Sequence, residues 1–374
     1  MNQAHALTRG PGHHFFGYYG IPAWNRAQTK HLALETTFHE RRPESGDMAR
    51  VGLVDLASGR FEPLAETSAF NLQQGAMLHW IDAGFGEELV YNAWLADGTL
   101  GARALNPVSG RSRELRCAVG AVGAGGTVAL GLDRARSFHI RAVTGYACGP
   151  ERLRGACPDD DGLFRIDLQT GASGLVLPLR TLRDGAAIKD AETQVWIDHV
   201  HLNPSGTRVL LIFRARDEKS WRSSLWTVDA DGARPKLQIP FGAKVSHFDW
   251  FDDETILVST NVLGPMQFVT FHDGAGDFSP LDPENLPQDG HASYSPDRQK
   301  LLCDTYPRGE PPRCELLLYE LASKRRVDLG AYDAPPPFRG DIRCDLHPRW
   351  RPDGRAVSFD SIHEGTRQVY GIEL

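Results

Sequence analysis

The chain has 374 residues, 41% of them hydrophobic and 24% charged, a composition that supplies a substantial core and excludes a mainly disordered polymer. Its 41 basic and 48 acidic residues leave a net charge of -7 spread without blocks, which argues against nucleic acid or an anionic membrane surface as partner. The start MNQAHALTRGPGHH lacks an apolar stretch of signal-peptide length, and no run of eighteen apolar residues occurs. The expectation is therefore a soluble, cytoplasmic protein, with its six scattered cysteines reduced.

The 38 Gly, 24 Pro and only 4 Met mark frequent turns with short segments between them. In chain order those segments read as strands: VGLVDL at 51–56, ELVYNAWL at 88–95, GLFRIDL at 162–168, RVLLIFR at 208–214, ETILVST at 254–260, KLLCDTY at 300–306, AVSFDS at 356–361 and RQVYGIEL at 367–374. Four segments share one register: DHVHLNPSG at 198–206, SHFDWFDD at 246–253, GHASYSPD at 290–297 and LHPRWRPD at 346–353. In each, a His precedes by five positions a Pro or Asp that opens a tight turn (Pro204, Asp252, Pro296, Pro352), and an apolar strand follows. Three weaker units precede them. The repeat predicts a seven-bladed β-propeller, all-β and a single domain over 1–374, with blades near 10–66, 67–116, 117–180, 192–240, 244–283, 286–332 and 338–374. The last unit shows three strands, so the spacing leaves open how the ring closes.

Equivalent positions of successive blades are related by rotation about the channel axis, so His199, His247, His291 and His347 are expected on an arc at one channel mouth. His13, His14, Gln73, Gln74, Arg134, Arg136, Tyr146, Arg214, Arg216, Arg222, Arg343 and Asp345 fall at corresponding strand ends. Imidazole and carboxylate together suit a divalent metal, and guanidinium suits an anionic ligand.

The stretches DHVHLNP, SHFDW and HPRWRPDGRAVSFDSIHEGTRQVY make the chain from about Trp196 to Leu374 resemble the oligogalacturonate lyases, propeller lyases that cleave short uronate oligosaccharides with manganese. The resemblance implies His247 and Arg222 as catalytic residues, with His199 beside them. It implies His291, Asp345 and His347 as metal ligands, although Asp345 stands where the family has a His and Ile342 where it has a Gln. A divalent cofactor follows, manganese by resemblance, with calcium or no metal as alternatives. His14, Tyr19, Gln74, Arg214, Arg343 and Trp250 are assigned to substrate binding, with Tyr18 and Trp24 as further stacking candidates.

The implied reaction is β-elimination from an acidic oligosaccharide: a cation neutralises the uronate carboxylate, the C5 proton becomes acidic, and a neutral His removes it. The expected partner is this substrate alone, with no nucleic acid and no membrane, and the protein a monomer or homodimer. Two alternatives stand: a non-catalytic TolB-like propeller binding a protein or peptide, and a glycoside hydrolase, for which Asp249 and Asp345 are the only acids placed near the channel.

Overall fold

A computed structural model describes residues 3–216 and 220–374; residues 217–219 of the fourth predicted unit lie outside the described residues. Seven four-stranded antiparallel sheets form the ring. In six of them the first strand in sequence lies at one edge: His13–Phe15, His79–Ile81, Val119–Val122, Gln194–Leu202, Val245–Trp250 and Ser293–Tyr294. The seventh sheet is composite. Its strands Arg349–Trp350, Ala356–Ser361 and Gln368–Glu373 are completed by His5–Ala6 from the other end of the chain, with His5 opposite Gly371 and Ala6 opposite Tyr370. An N-terminal strand therefore closes the ring, the point that strand spacing left open.

Apolar residues from facing sheets fuse into cores between blades. Leu163 and Leu177 of the third sheet pack with Val195, Ile197, Val209 and Leu211 of the fourth, all buried. Leu302, Leu316 and Tyr332 of the sixth join Trp350, Val357 and Phe359 of the seventh. Strands buried on both faces need no polar side, which is why these segments read as continuous apolar runs.

A second device links neighbouring sheets: a polar residue at the end of one blade's second strand binds backbone N–H at the start of the next blade. Asn92 accepts from Val119 N at 2.7 Å. Asp304 accepts from His347 N at 3.1 Å, and Asp360 from Gly17 N at 2.9 Å. From these anchors the chain runs to the turn of the first hairpin, four positions from His347 to Arg351 but eight from Gly17 to Asn25. The extra residues of the first blade fold into the channel and carry Tyr18 and Tyr19 with them. Gly17 (φ +108°) and Gly75 (φ +59°) permit this: a Cβ on Gly17 would meet Gly75 N at 2.3 Å, and one on Gly75 would meet Phe16 O at 2.4 Å.

Candidate active site

Tyr18 and Tyr19 divide the channel. On one side the ring of Tyr19 lies 5.6, 5.2 and 6.4 Å from those of His247, His291 and His347. The three imidazoles are contiguous, with centroids 4.2 Å apart for His247 and His291 and 4.1 Å for His291 and His347. His199 is set apart on Tyr18, whose hydroxyl meets its Nδ1 at 2.8 Å. On the other side a chamber of about 110 Å³ is lined by His201, Asp249 and Ser293. His199 and His247 each fall where strand pairing slips, between Ile197 and Val200 and between Val245 and Phe248. Such bulges re-aim a side chain, here toward the axis.

His291 is fixed by Asp304, which accepts from its backbone N at 2.7 Å and holds its Nδ1 at 2.9 Å. That leaves Nε2 as the free ligand atom, 3.0 Å from His347 Nε2. His347 sits at φ +44° in front of Pro348, a backbone state that costs a non-glycine residue about 1–3 kcal/mol and is held by the Asp304 contact to its N–H. The ligand atoms of His291, Asp345 and His347 all lie within 4.8 Å of one another. Metal bonds of about 2.1 Å place the ligands of one ion roughly 3–4 Å apart, so a small adjustment would let the three share one. The donor set of two imidazoles and a carboxylate, with Asp304 behind His291 as the orienting carboxylate, fits a first-row divalent ion. Burial opposes protonation of His291, but Asp304 outweighs it and raises the pKa. Burial, followed by His291, holds His347 well below the ordinary imidazole value. Asp345 stays ionised because Arg343, bound through both oxygens at 2.5 and 2.7 Å, outweighs its burial.

His247 turns Nδ1 to Asp289 at 3.0 Å and Nε2 toward the Tyr306 hydroxyl at 3.4 Å. Burial, with His291 beside it, lowers its pKa, so it is neutral at neutral pH. Burial opposes ionisation of Asp289, and His247 more than compensates. Both residues line a cleft of about 720 Å³ whose walls also carry Arg141, Arg214, Arg222 and Arg343. Arg141 and Arg214 converge on buried Asp198, the latter through Nε at 2.5 Å. Their guanidinium groups lie 5.4 and 4.4 Å from the ring of Trp221, a half-exposed indole on the same wall. A chain of net negative charge thus presents a cationic cleft over its histidines.

The structure brings together most of the residues singled out in the sequence. His199, His247, Arg214, Arg222 and Arg343 line the cleft, and His291, Asp345 and His347 converge behind it, in contact with His247 and Arg343. Gln74 stands behind, its Nε2 3.2 Å from His199 Nδ1. Tyr19 lies beneath the histidines with its hydroxyl donated to Phe248 O, so it supports them and offers no face to a sugar. Tyr19 is thus corrected from a substrate contact to a support, and His14 and Trp250 are corrected as well. His14 is buried between the first and seventh blades, where Gln368 Oε1 meets its Nδ1 at 2.9 Å and Phe61 packs on its ring. Trp250 is 1% exposed in the core of the fifth blade, donating to His201 O. Trp24 is likewise core, and Arg136 is buried, donating to the carbonyls of Leu153, Gly155, Ala156 and Val195. Asp249 lies on the far side of the tyrosines. Asp289, Asp304, Tyr306, Arg141 and Trp221 went unread in the sequence. Asp289 lies two residues before the register His291 and Asp304 ends the strand that follows the register turn, whereas Arg141 comes from an insertion between strands of the third blade that breaks the repeat.

No protein-family model and no curated protein matches the chain. Solved structures do. Oligogalacturonate lyase in complex with manganese superposes with a TM-score of 0.69 at 14% identity, over 100% of this chain and 93% of that one. Oligogalacturonate lyase from Vibrio parahaemolyticus gives 0.67 at 13% identity, over 98% and 92%. Puromycin hydrolase gives 0.54 at 14% identity, over all of this chain but 55% of its own. At these identities the likeness is one of fold, and the chain is a seven-bladed propeller similar over nearly its whole length to the oligogalacturonate lyases.

Proposed function

We propose that the protein is a lyase that cleaves uronate-containing oligosaccharides by β-elimination in the cationic cleft. The observation that carries this reading is His247, neutral, oriented by Asp289 and adjacent to His291, Asp345 and His347 beneath an arginine-lined wall. The likeness in fold to oligogalacturonate lyase supports it. His291, Asp345 and His347 would hold a divalent ion, manganese on the precedent of that neighbour, which when bound neutralises a carboxylate and so acidifies the carbon beside it. Arg222 is the residue for the substrate carboxylate, its guanidinium resting on Phe241 5.2 Å away in the cleft wall. His247 Nε2 takes the C5 proton, and Asp289 stabilises the imidazolium that results. His199, backed by Gln74, orients the sugar hydroxyls next to it. A hydrolase would need two free carboxyl groups across the bond, but Asp289 in the cleft and buried Asp345 beside it are engaged by His247 and Arg343. The six unpaired cysteines accord with action in the reducing cytoplasm.

The test is ultraviolet absorbance of the unsaturated uronate product, which hydrolysis does not give, on a panel of uronate oligosaccharides with and without added manganese. Absence of such a product from every uronate sinks the reading. Calorimetric titration with manganese is expected to give one site per chain, weakened about 10–100-fold by Asp304→Asn, which loses the charge that orients His291. Wild-type protein that takes up neither manganese nor calcium removes the ion from the scheme.

A further inference from the structure

We infer that Tyr306 is the acid partner of His247 and that the pair restricts the enzyme to uronates whose C5 hydrogen and C4 oxygen lie on the same ring face. This rests on the lyase reading above and names its substrate class. The hydroxyl of Tyr306 and Nε2 of His247 are 3.4 Å apart, and both residues line the cleft. The ring of Tyr306 is fixed from two sides, by the Arg343 guanidinium 4.6 Å from its centroid and by His291 at 5.6 Å.

The proton balance closes without any further reactant. Nε2 takes the C5 hydrogen as a proton, the C5–H electron pair becomes the C4–C5 double bond, and the C4–O4 bond breaks. O4 leaves with the phenolic proton of Tyr306. The imidazolium then returns its proton to the phenolate across the 3.4 Å contact, and both residues regain their starting states.

Geometry sets the stereochemistry. In gluco- and manno-configured 4-linked uronates the C5 hydrogen and O4 share a face, so one adjacent pair reaches both. In galacto, gulo and ido configurations they lie on opposite faces, and acid and base must stand across the ring from each other. A base and an acid within hydrogen-bonding reach leave no room for a ring between them. Elsewhere in the cleft Arg141 and Arg214 are tied to Asp198, and guanidinium does not release its proton, while His199 is held between the Tyr18 hydroxyl and Asp198. The site is built for syn elimination, and its substrate is a glucuronate- or mannuronate-type chain instead of a galacturonate.

The experiment compares 4-linked oligosaccharides of glucuronate, mannuronate, galacturonate and guluronate by the absorbance of unsaturated product. Glucuronate or mannuronate chains are expected to be cleaved on the order of 100-fold faster, in kcat/KM, than the other two. Preference for galacturonate or guluronate overturns the inference while leaving the lyase reading intact, and no unsaturated product from any of the four overturns both. Tyr306→Phe keeps the packed ring. It is expected to lower kcat by on the order of 100-fold or more with KM and manganese affinity little changed, while recovered substrate still acquires deuterium at C5 in heavy water. Full activity in Tyr306→Phe, or loss of the exchange together with turnover, overturns the assignment of Tyr306 as the acid.

Discussion

His247→Ala is expected to lower kcat on the preferred uronate by about 10²–10⁴-fold, the range spanned by a positioned general base. Two kinds of contact distinguish this from loss of folding. The ring is buried against Tyr19 and His291, so alanine leaves a small void, but the strand Val245–Trp250 keeps its pairing to Thr255–Thr260. Asp289→Asn is the sharper probe, because it preserves the volume and removes only the charge behind Nδ1. An amide there can present its N–H to Nδ1, favouring the tautomer in which Nε2 bears the proton and cannot accept one, so a loss near that of the alanine variant is expected. The pH profile supplies a further check. Burial and the neighbouring His291 put the His247 pKa below 6.5, so activity that needs the neutral ring should fall only on the acid side of that value. A His247→Ala enzyme within threefold of wild type would sink its role as base. A loss confined to KM would make it a binding residue.

The part of this site legible in the sequence is the part that repeats. His199, His247, His291 and His347 stand at one offset from a turn, and a propeller converts a shared offset into a shared height on the channel wall. Asp304 and Asp360 also occupy equivalent positions, at the ends of second strands. Their function could not be read, because each binds the backbone of the next blade and Asp304 also the ring of His291, contacts that side-chain patterning does not encode. Trp250 and His14 lie close in sequence to the channel residues but face away from the channel, His14 against Gln368 and Phe61. His247 and Trp250 are three apart on one strand and so face opposite ways, His247 to the axis and Trp250 to the core between blades. Tyr306 and Trp221 are placed by loop and hairpin geometry that no period describes. The two channel tyrosines owe their position to the longer chain between Gly17 and Asn25, visible in the sequence only once the anchor at Asp360 is known.

That anchor carries the largest expected effect on stability. Asp360 and Arg349 form an ion pair at 2.9 Å with side chains 1% and 0% exposed. The same carboxylate accepts from Phe16 N at 3.2 Å and Gly17 N at 2.9 Å, where the chain enters the channel. Asp360→Ala strands the Arg349 guanidinium, left with Ser358 Oγ at 3.1 Å, and orphans two backbone donors. Breaking a buried pair from one side costs about 3–5 kcal/mol, and this is the loss expected in urea denaturation. Asp360→Asn keeps an acceptor for the two N–H groups and should lose less, which separates the backbone contacts from the charge. Because the segment held by Asp360 leads directly to Tyr18 and Tyr19, the alanine variant should also bind manganese more weakly, although its ligands are untouched. The two effects should arise together, since the support beneath His291 and His347 is the segment that this carboxylate pins to the seventh blade. A destabilisation below about 1 kcal/mol would mean that the buried pair contributes little beyond what the surrounding packing already supplies, and that the tyrosines are held by the glycine contact at Gly75 instead.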